Sequence, residues 1–173
     1  IANIVYSCYI VFCIPAEGFA ETVCSMVSRF VGSKRPERIG NVLRSTTGGA
    51  VLATGPFILL ALVAPQWIVA IFSHESGLLS QGNASLRVVA LAMFVAIPAY
   101  LWFTAVEGTG DTVGALGIDV LLTLVMLGVT YLGAIHFGWP MAFVWVAVPI
   151  TWLVCLALSY GWIKSGVWKR LEV

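Results

Sequence analysis

Long apolar stretches alternate with short polar connections along the whole chain. A helix that crosses a membrane needs about 20 apolar residues, because each residue adds roughly 1.5 Å along the helix axis. Five stretches reach this length, and they run over residues 1–31, 39–72, 81–107, 112–136 and 140–163. The pattern therefore predicts an all-α protein with five membrane-spanning helices.

Three of the connections are only a few residues long: Ser33–Arg38, Ser73–Gln81 and His136–Pro140. Short connections between long helices force neighbours in sequence to lie antiparallel. We expect a polytopic transmembrane helix bundle that forms a single membrane domain over residues 1–173. The first residues contain neither a methionine nor a charged signal-peptide region, so we expect the sequence to be a fragment that begins inside or just before a helix.

The composition agrees with a lipid environment. Hydrophobic residues make up 60% of the chain and charged residues 10%, whereas about a quarter of a soluble domain is charged. The net charge is +1, and basic residues do not form the broad patch that nucleic acid requires. The lipid bilayer is the expected partner, and no nucleic acid is expected.

The distribution of lysine and arginine predicts the orientation. With five alternating helices, one side of the membrane receives nearly all the basic residues and the other only Arg87. Basic residues concentrate on the cytoplasmic side. We expect an integral protein of a prokaryotic inner membrane with a cytoplasmic C-terminus. The basic residues on the predicted cytoplasmic side are Lys34, Arg35, Arg38, Arg44, Lys164, Lys169 and Arg170.

Two carboxylates interrupt the first apolar stretch near its middle. Glu17 and Glu21 are four residues apart, so they share one face of a helix, and they follow Pro15. A carboxylate inside the hydrocarbon region is costly and marks a functional candidate, so the pair could carry a proton or bind a cation. Two alternatives are that a bend at Pro15 admits water and that the pair meets Arg29.

A second acidic segment, Glu107–Thr112, reverses the chain between the third and fourth stretches. Gly108 and Gly110 permit the backbone angles of a tight turn, and Asp111 is placed to cap the helix that begins at Thr112. Glu107 and Asp111 are also candidate ion ligands. Asp119, two turns into the fourth helix, is either a buried ligand or a residue stabilised by the helix N-terminus.

Glycine and proline residues inside the predicted helices have two interpretations. Small residues let membrane helices approach closely. Pro15, Gly55, Pro56 and Pro98 could also supply bending points for the conformational change of a transporter. The sequence shows no nucleophile–base pair, no phosphate-binding glycine loop and no metal-ligand spacing of its cysteines. We therefore expect neither an enzyme nor a cofactor.

The order of the motifs resembles that of multidrug and toxic compound extrusion (MATE) transporters. The segment PAEGFAETVCSMVSRFVGSKRPER is similar to a helix and basic loop of that family, and EGTGDT is similar to its turn after the fourth helix of each lobe. A weaker third similarity is FGWPMAFVW, Phe137–Trp145. The residues that carry the first similarity are Pro15, Gly18, Ala20, Val31, Gly32, Lys34 and Arg35.

The resemblance implies an antiporter of twelve helices in two lobes, with this chain as the last five helices of the C-terminal lobe. It implies export of small organic cations in exchange for H⁺ or Na⁺, and an N-terminal lobe of the same protein as partner. Some relatives use an acid in the fourth helix of a lobe, but Met93–Leu101 contains none. The roles of Glu17 and Glu21 therefore remain a hypothesis based on these residues alone.

Three other functions compete with a cation antiporter. A flippase for lipid-linked sugars, from the same wider superfamily, would need a wide and strongly cationic cavity. A membrane scaffold without transport would have Glu17 and Glu21 either facing the interface or fully paired. A membrane-embedded enzyme would need a catalytic set of residues, which the sequence lacks.

Overall fold

The computed structural model describes residues 2–72, 76–139 and 141–170, and within these residues the chain forms helices and no strand. A 3₁₀ turn at Pro36–Arg38 precedes α2, a π-helical turn at Leu132–His136 extends α5, and a 3₁₀ turn at Val167–Arg170 follows the last helix. The helices are α1 (Ala2–Gly32), α2 (Ile39–Val63), α3 (Pro65–Phe72), α4 (Ser76–Gly108), α5 (Thr112–Tyr131), α6 (Met141–Val144) and α7 (Ala147–Ser165).

Five helical segments in the described residues are long and apolar enough to cross a membrane. They confirm the predicted all-α transmembrane fold with five spans. The segments are Val5–Gly32, Pro36–Val63, Gly82–Gly108, Thr112–His136 and Ala147–Ser165.

Two predicted helix boundaries were wrong. The second stretch is two helices, because the chain leaves helical geometry at Ala64, with φ −132° and ψ 55°. Pro65 disfavours the helical conformation at Ala64, the residue at which α2 ends. The third helix begins at Ser76 instead of Gln81, so part of the predicted connection is helical.

The last predicted helix also differs from the structure. A short helix, α6, is followed by a two-residue turn at Trp145 and Val146 before α7 begins at Ala147. The predicted start at Pro140 lies outside the described residues. Pro149 therefore lies in the first turn of α7, where its missing N–H group costs little.

Helix α4 is the central element, and it packs against α7, α1 and α2, whereas α5 packs mainly against α7. On α1, a buried stripe of small and branched side chains contacts this core: Ala16, Ala20, Val23 and Val27, each no more than 2% exposed. Close packing of this kind drives helix association where lipid supplies no hydrophobic force. Glu17 and Glu21 each follow a residue of the stripe, so their side chains emerge beside the packed face.

The prolines proposed as bending points lie inside helices that continue through them. Pro15 is in α1, Pro56 is in α2 beside Gly55, and Pro98 is in α4. A proline inside a helix removes one backbone hydrogen bond and leaves a carbonyl without its usual donor. Bending of these helices during transport stays a prediction.

Candidate functional site

The turn between α4 and α5 has the structural role that its glycines and aspartate predicted. Asp111 is 6% exposed, and its Oδ1 accepts a hydrogen bond of 2.9 Å from the backbone N–H of Gly114. This confirms the predicted N-cap of α5, which begins at Thr112. Gly110 has φ +83°, a conformation that glycine adopts without the penalty other residues incur.

Gly108 has a different role from the one predicted for it, because its φ is not positive. It is the last residue of α4, and it lies against α1. A Cβ atom at this position would lie 2.8 Å from the backbone oxygen of Cys24 and 3.0 Å from Cβ of Val27. The Ser28 hydroxyl donates a 2.9 Å hydrogen bond to the Gly108 carbonyl oxygen. Gly108 therefore permits the close contact between the ends of α1 and α4.

Gly108→Ala is expected to destabilise the full-length protein by about 1–3 kcal/mol, because the new methyl group meets backbone atoms that cannot rotate away. Thermal unfolding in detergent would show a lower midpoint. Gly117→Ala is the control, because a Cβ atom at Gly117 has no neighbour within 4 Å. Equal midpoints for the two variants would contradict the assigned contact.

Glu17 and Glu21 lie on the same exposed side of α1, as their spacing predicted. Glu17 is at the middle of the helix, so a lipid-facing position would place its charge in hydrocarbon at high cost. Arg29 is eight residues beyond Glu21 on the same continuous helix, or about 12 Å along the axis. The alternative in which Glu17 and Glu21 pair with Arg29 is therefore wrong. Neither glutamate forms an ion pair within the described part of the chain.

Glu17 lines a cavity of about 240 Å³ between α1, α4 and α7, which we call the central cavity. Its walls are aromatic and apolar, and Glu17 is the charged residue among them. The rings of Tyr100 and Trp152 meet edge to face, with centroids 6.0 Å apart. The lining residues are Tyr6, Tyr9, Ile10, Cys13, Ala16, Glu17, Met93, Ala96, Ile97, Tyr100 and Trp152.

Glu107 and Asp119 face a second cavity of about 540 Å³ between α4 and α5, which we call the turn cavity. Both carboxylates are exposed to it. Tyr100 lines this cavity as well as the central one, so the two cavities adjoin at this residue. The structure thus brings three of the predicted candidates, Glu17, Glu107 and Asp119, to one face of the bundle, with Glu21 exposed beside them.

We call the central and turn cavities together the acidic groove. No lysine or arginine is among the described residues that line it. Carboxylates separated by low-dielectric walls reinforce one another's potential and attract cations. Because exposed carboxylates at membrane depth are tolerated only next to water or protein, we expect the acidic groove to face water or protein instead of lipid.

Sequence reasoning missed the uncharged residues of the groove: Tyr6, Tyr9, Cys13, Tyr100 and Trp152. For Tyr100 a signal was present, because Tyr100, Phe103 and Glu107 follow the spacing of one helical face. Thr112, Ala115 and Asp119 follow the same spacing on α5. Trp152 could not have been placed, because its position depends on how α7 packs against α4.

The four acids do not form a metal centre. Among the described residues, no three histidine, cysteine or acidic side chains are close enough together to hold a metal ion. Thr112 lines the turn cavity, whereas Asp111 uses Oδ1 for the helix cap.

The fold and the groove define a class of protein: an integral membrane protein whose helices carry acids along one face. The chain matches the MatE family model over residues 1–132 and belongs to that family. Members of this family are membrane transporters. Searches among curated proteins and among solved structures found no match.

Proposed function

We propose that this chain is part of a secondary active antiporter that exports cationic, amphipathic compounds in exchange for H⁺ or Na⁺. The observation that carries the proposal is the central cavity, where one carboxylate, Glu17, lies among aromatic side chains. Aromatic faces attract organic cations, by roughly 2 kcal/mol or more where water is excluded, and a carboxylate adds a full opposite charge. The coupling candidates are Glu17, Glu21, Glu107 and Asp119.

The proposed orientation follows the basic residues at the ends of the spans. Lys34, Arg35 and Arg38 lie at the connection after α1, and Lys164 lies at the end of α7. We place these ends, the turn at Gly110 and the C-terminus in the cytoplasm of a prokaryotic cell. The turn cavity then opens toward the cytoplasm, from which a drug would enter. We further propose that a second lobe of the same protein closes the groove.

Two observations favour this function over its competitors. A flippase for lipid-linked sugars would need a cationic cavity for the phosphates, but the described lining of the acidic groove carries only negative charges. A scaffold would have both glutamates fully paired or facing outward. Glu21 is exposed, but Glu17 lines the central cavity without an ion pair from the described residues, and Glu17 is therefore the residue that favours transport.

Transport by the full-length protein in liposomes tests the proposal. A proton or sodium gradient is expected to drive a fluorescent organic cation across the bilayer, and an ionophore that dissipates the gradient is expected to stop this movement. Protein-free liposomes provide the control. Movement of a fluorescent lipid-linked sugar, with no gradient-driven movement of the cation, would replace the antiporter with the flippase.

A further inference from the structure

The beginning of α2 carries a row of polar side chains on its exposed side. Arg38, Asn41, Arg44 and Ser45 are all exposed, and their spacing of three and four residues places them beside one another on the helix surface. We call these four residues the α2 polar stripe. None of the four side chains has a hydrogen-bond or ion-pair partner in the described part of the chain, so their donors are available to a ligand.

We expect the α2 polar stripe to lie at the depth of the lipid headgroups. About 20 helical residues cross the hydrocarbon region, and counted back from Val63, the last residue of α2, they begin at Arg44. The rise from Arg38 to Arg44 is about 9 Å, close to the headgroup layer of about 5–8 Å on each side of the bilayer. Beyond the stripe the exposed side becomes apolar. A Cβ atom at Gly48 would have no neighbour within 4 Å, and Leu52 is 79% exposed.

The segment around the α2 polar stripe is basic. Residues 33–48 contain four basic residues and one acid, Glu37, which gives this segment a net charge of +3. Exposed cations next to a membrane attract anionic lipid headgroups. No described residue of α2 lines the central cavity or the turn cavity, so the stripe is separate from the acidic groove. The four basic residues, all exposed, are Lys34, Arg35, Arg38 and Arg44.

We propose that the α2 polar stripe binds the headgroup of an anionic phospholipid, whose acyl chain runs along the apolar side of α2 beyond the stripe. The guanidinium groups of Arg38 and Arg44 donate to the phosphate oxygens, because arginine presents a planar fork of N–H donors that matches a phosphate. Asn41 and Ser45 supply neutral donors to the remaining headgroup oxygens. A zwitterionic lipid carries the same phosphate, but the basic segment repels its ammonium group. The ligand class is thus a phospholipid with a net negative headgroup, whichever compound the protein transports.

Lipid binding to the full-length protein in a mild detergent tests the site. Native mass spectrometry counts the lipids retained during titration with phosphatidylglycerol or with phosphatidylcholine that has the same acyl chains. The unaltered protein is expected to bind phosphatidylglycerol at least tenfold more tightly, and equal affinities would overturn the site. Glycerol 3-phosphate carries the phosphate without acyl chains and is expected not to displace the lipid at equal concentration. Displacement would assign the stripe to a soluble phosphate compound and would overturn the lipid.

Arg38→Gln combined with Arg44→Gln removes both guanidinium groups from the α2 polar stripe. This double variant is expected to bind phosphatidylglycerol at least tenfold more weakly and to lose its preference over phosphatidylcholine, because each arginine near an anionic headgroup contributes about fivefold. Arg87→Gln is the control. It removes an exposed arginine from α4, outside the stripe, and is expected to leave both affinities unchanged.

Three results of these variants decide the proposal. An unchanged preference for phosphatidylglycerol in the double variant would overturn the site, and this is the result expected if a second lobe covers the stripe. A loss of the same size in Arg87→Gln would also overturn it, because the attraction would then depend on the total charge of the protein. If the double variant does not fold, Arg44→Gln alone is measured. Binding of phosphatidylglycerol that is roughly fivefold weaker would support the stripe, and unchanged binding would overturn it.

Discussion

Replacing both Glu17 and Glu21 with glutamine is expected to lower ion-driven export of a fluorescent cation at least tenfold in the full-length protein. Glutamine keeps the shape of glutamate and removes its charge. A charge-assisted interaction contributes about 1.5–3 kcal/mol, which corresponds to a factor of roughly ten to a hundred in binding. Glu17 lines the central cavity and Glu21 is exposed one turn along α1, so Glu17→Gln alone is expected to account for most of the loss in cation binding.

Glu37 provides the matched control for this double variant. It is an exposed glutamate in the 3₁₀ turn after α1, outside the residues that line the groove. Glu37→Gln removes the same charge from the protein and is expected to leave export unchanged. Efflux rates in liposomes under a fixed gradient compare the variants. Unchanged export in the double variant would remove Glu17 and Glu21 from the coupling mechanism.

The spans could be predicted from the sequence because length and apolar composition alone determine whether a helix can cross a bilayer. The ends of helices were less predictable. Ala64 lies within an unbroken apolar run, and only Pro65 after it signals the break between α2 and α3. The start of α4 at Ser76 carries no capping signal in the sequence that distinguishes it from a polar loop.

The two glycines of the turn show how one residue type can serve two purposes. Gly110 supplies a positive φ, which is a local property that the reversal itself predicts. Gly108 supplies space for Cys24 on another helix, 84 positions earlier in the chain. Sequence reasoning assigned both to the turn because the contact between α1 and α4 exists only after the helices have packed.

Only part of the candidate site could be predicted from the sequence. The pair on α1 follows from a spacing of four residues within one helix. The joint exposure of Glu107 and Asp119 to the turn cavity depends on the rotation of α4 relative to α5, which their separate periodicities do not determine. Tyr100 shares a helical face with Phe103 and Glu107, but its position between the two cavities depends on how α1 and α5 pack against α4.

Modification of Cys13 by a cationic thiol reagent is expected to inhibit export more than tenfold. Cys13 is half-buried, lines the central cavity and precedes Glu17 by one helical turn. Trimethylammonium-ethyl methanethiosulfonate would leave a bulky cation in a cavity of about 240 Å³, where it occupies the space of the substrate. Cys8 and Cys155 are 3% and 0% exposed and are expected to react slowly.

The charge of the reagent adds a second measurement. The groove carboxylates attract the trimethylammonium reagent and repel its sulfonate counterpart, by about 1 kcal/mol for each charge at close range in water. Each inhibition rate is divided by the rate at which the same reagent modifies a free thiol. On this scale the cationic reagent is expected to inhibit export roughly tenfold faster than the sulfonate reagent. Cys13→Ala is the control and should be insensitive, and prior binding of a transported cation should protect the unaltered protein. Equal inhibition of Cys13→Ala would place the reactive thiol elsewhere, with Cys24 as the remaining half-buried candidate among the described residues.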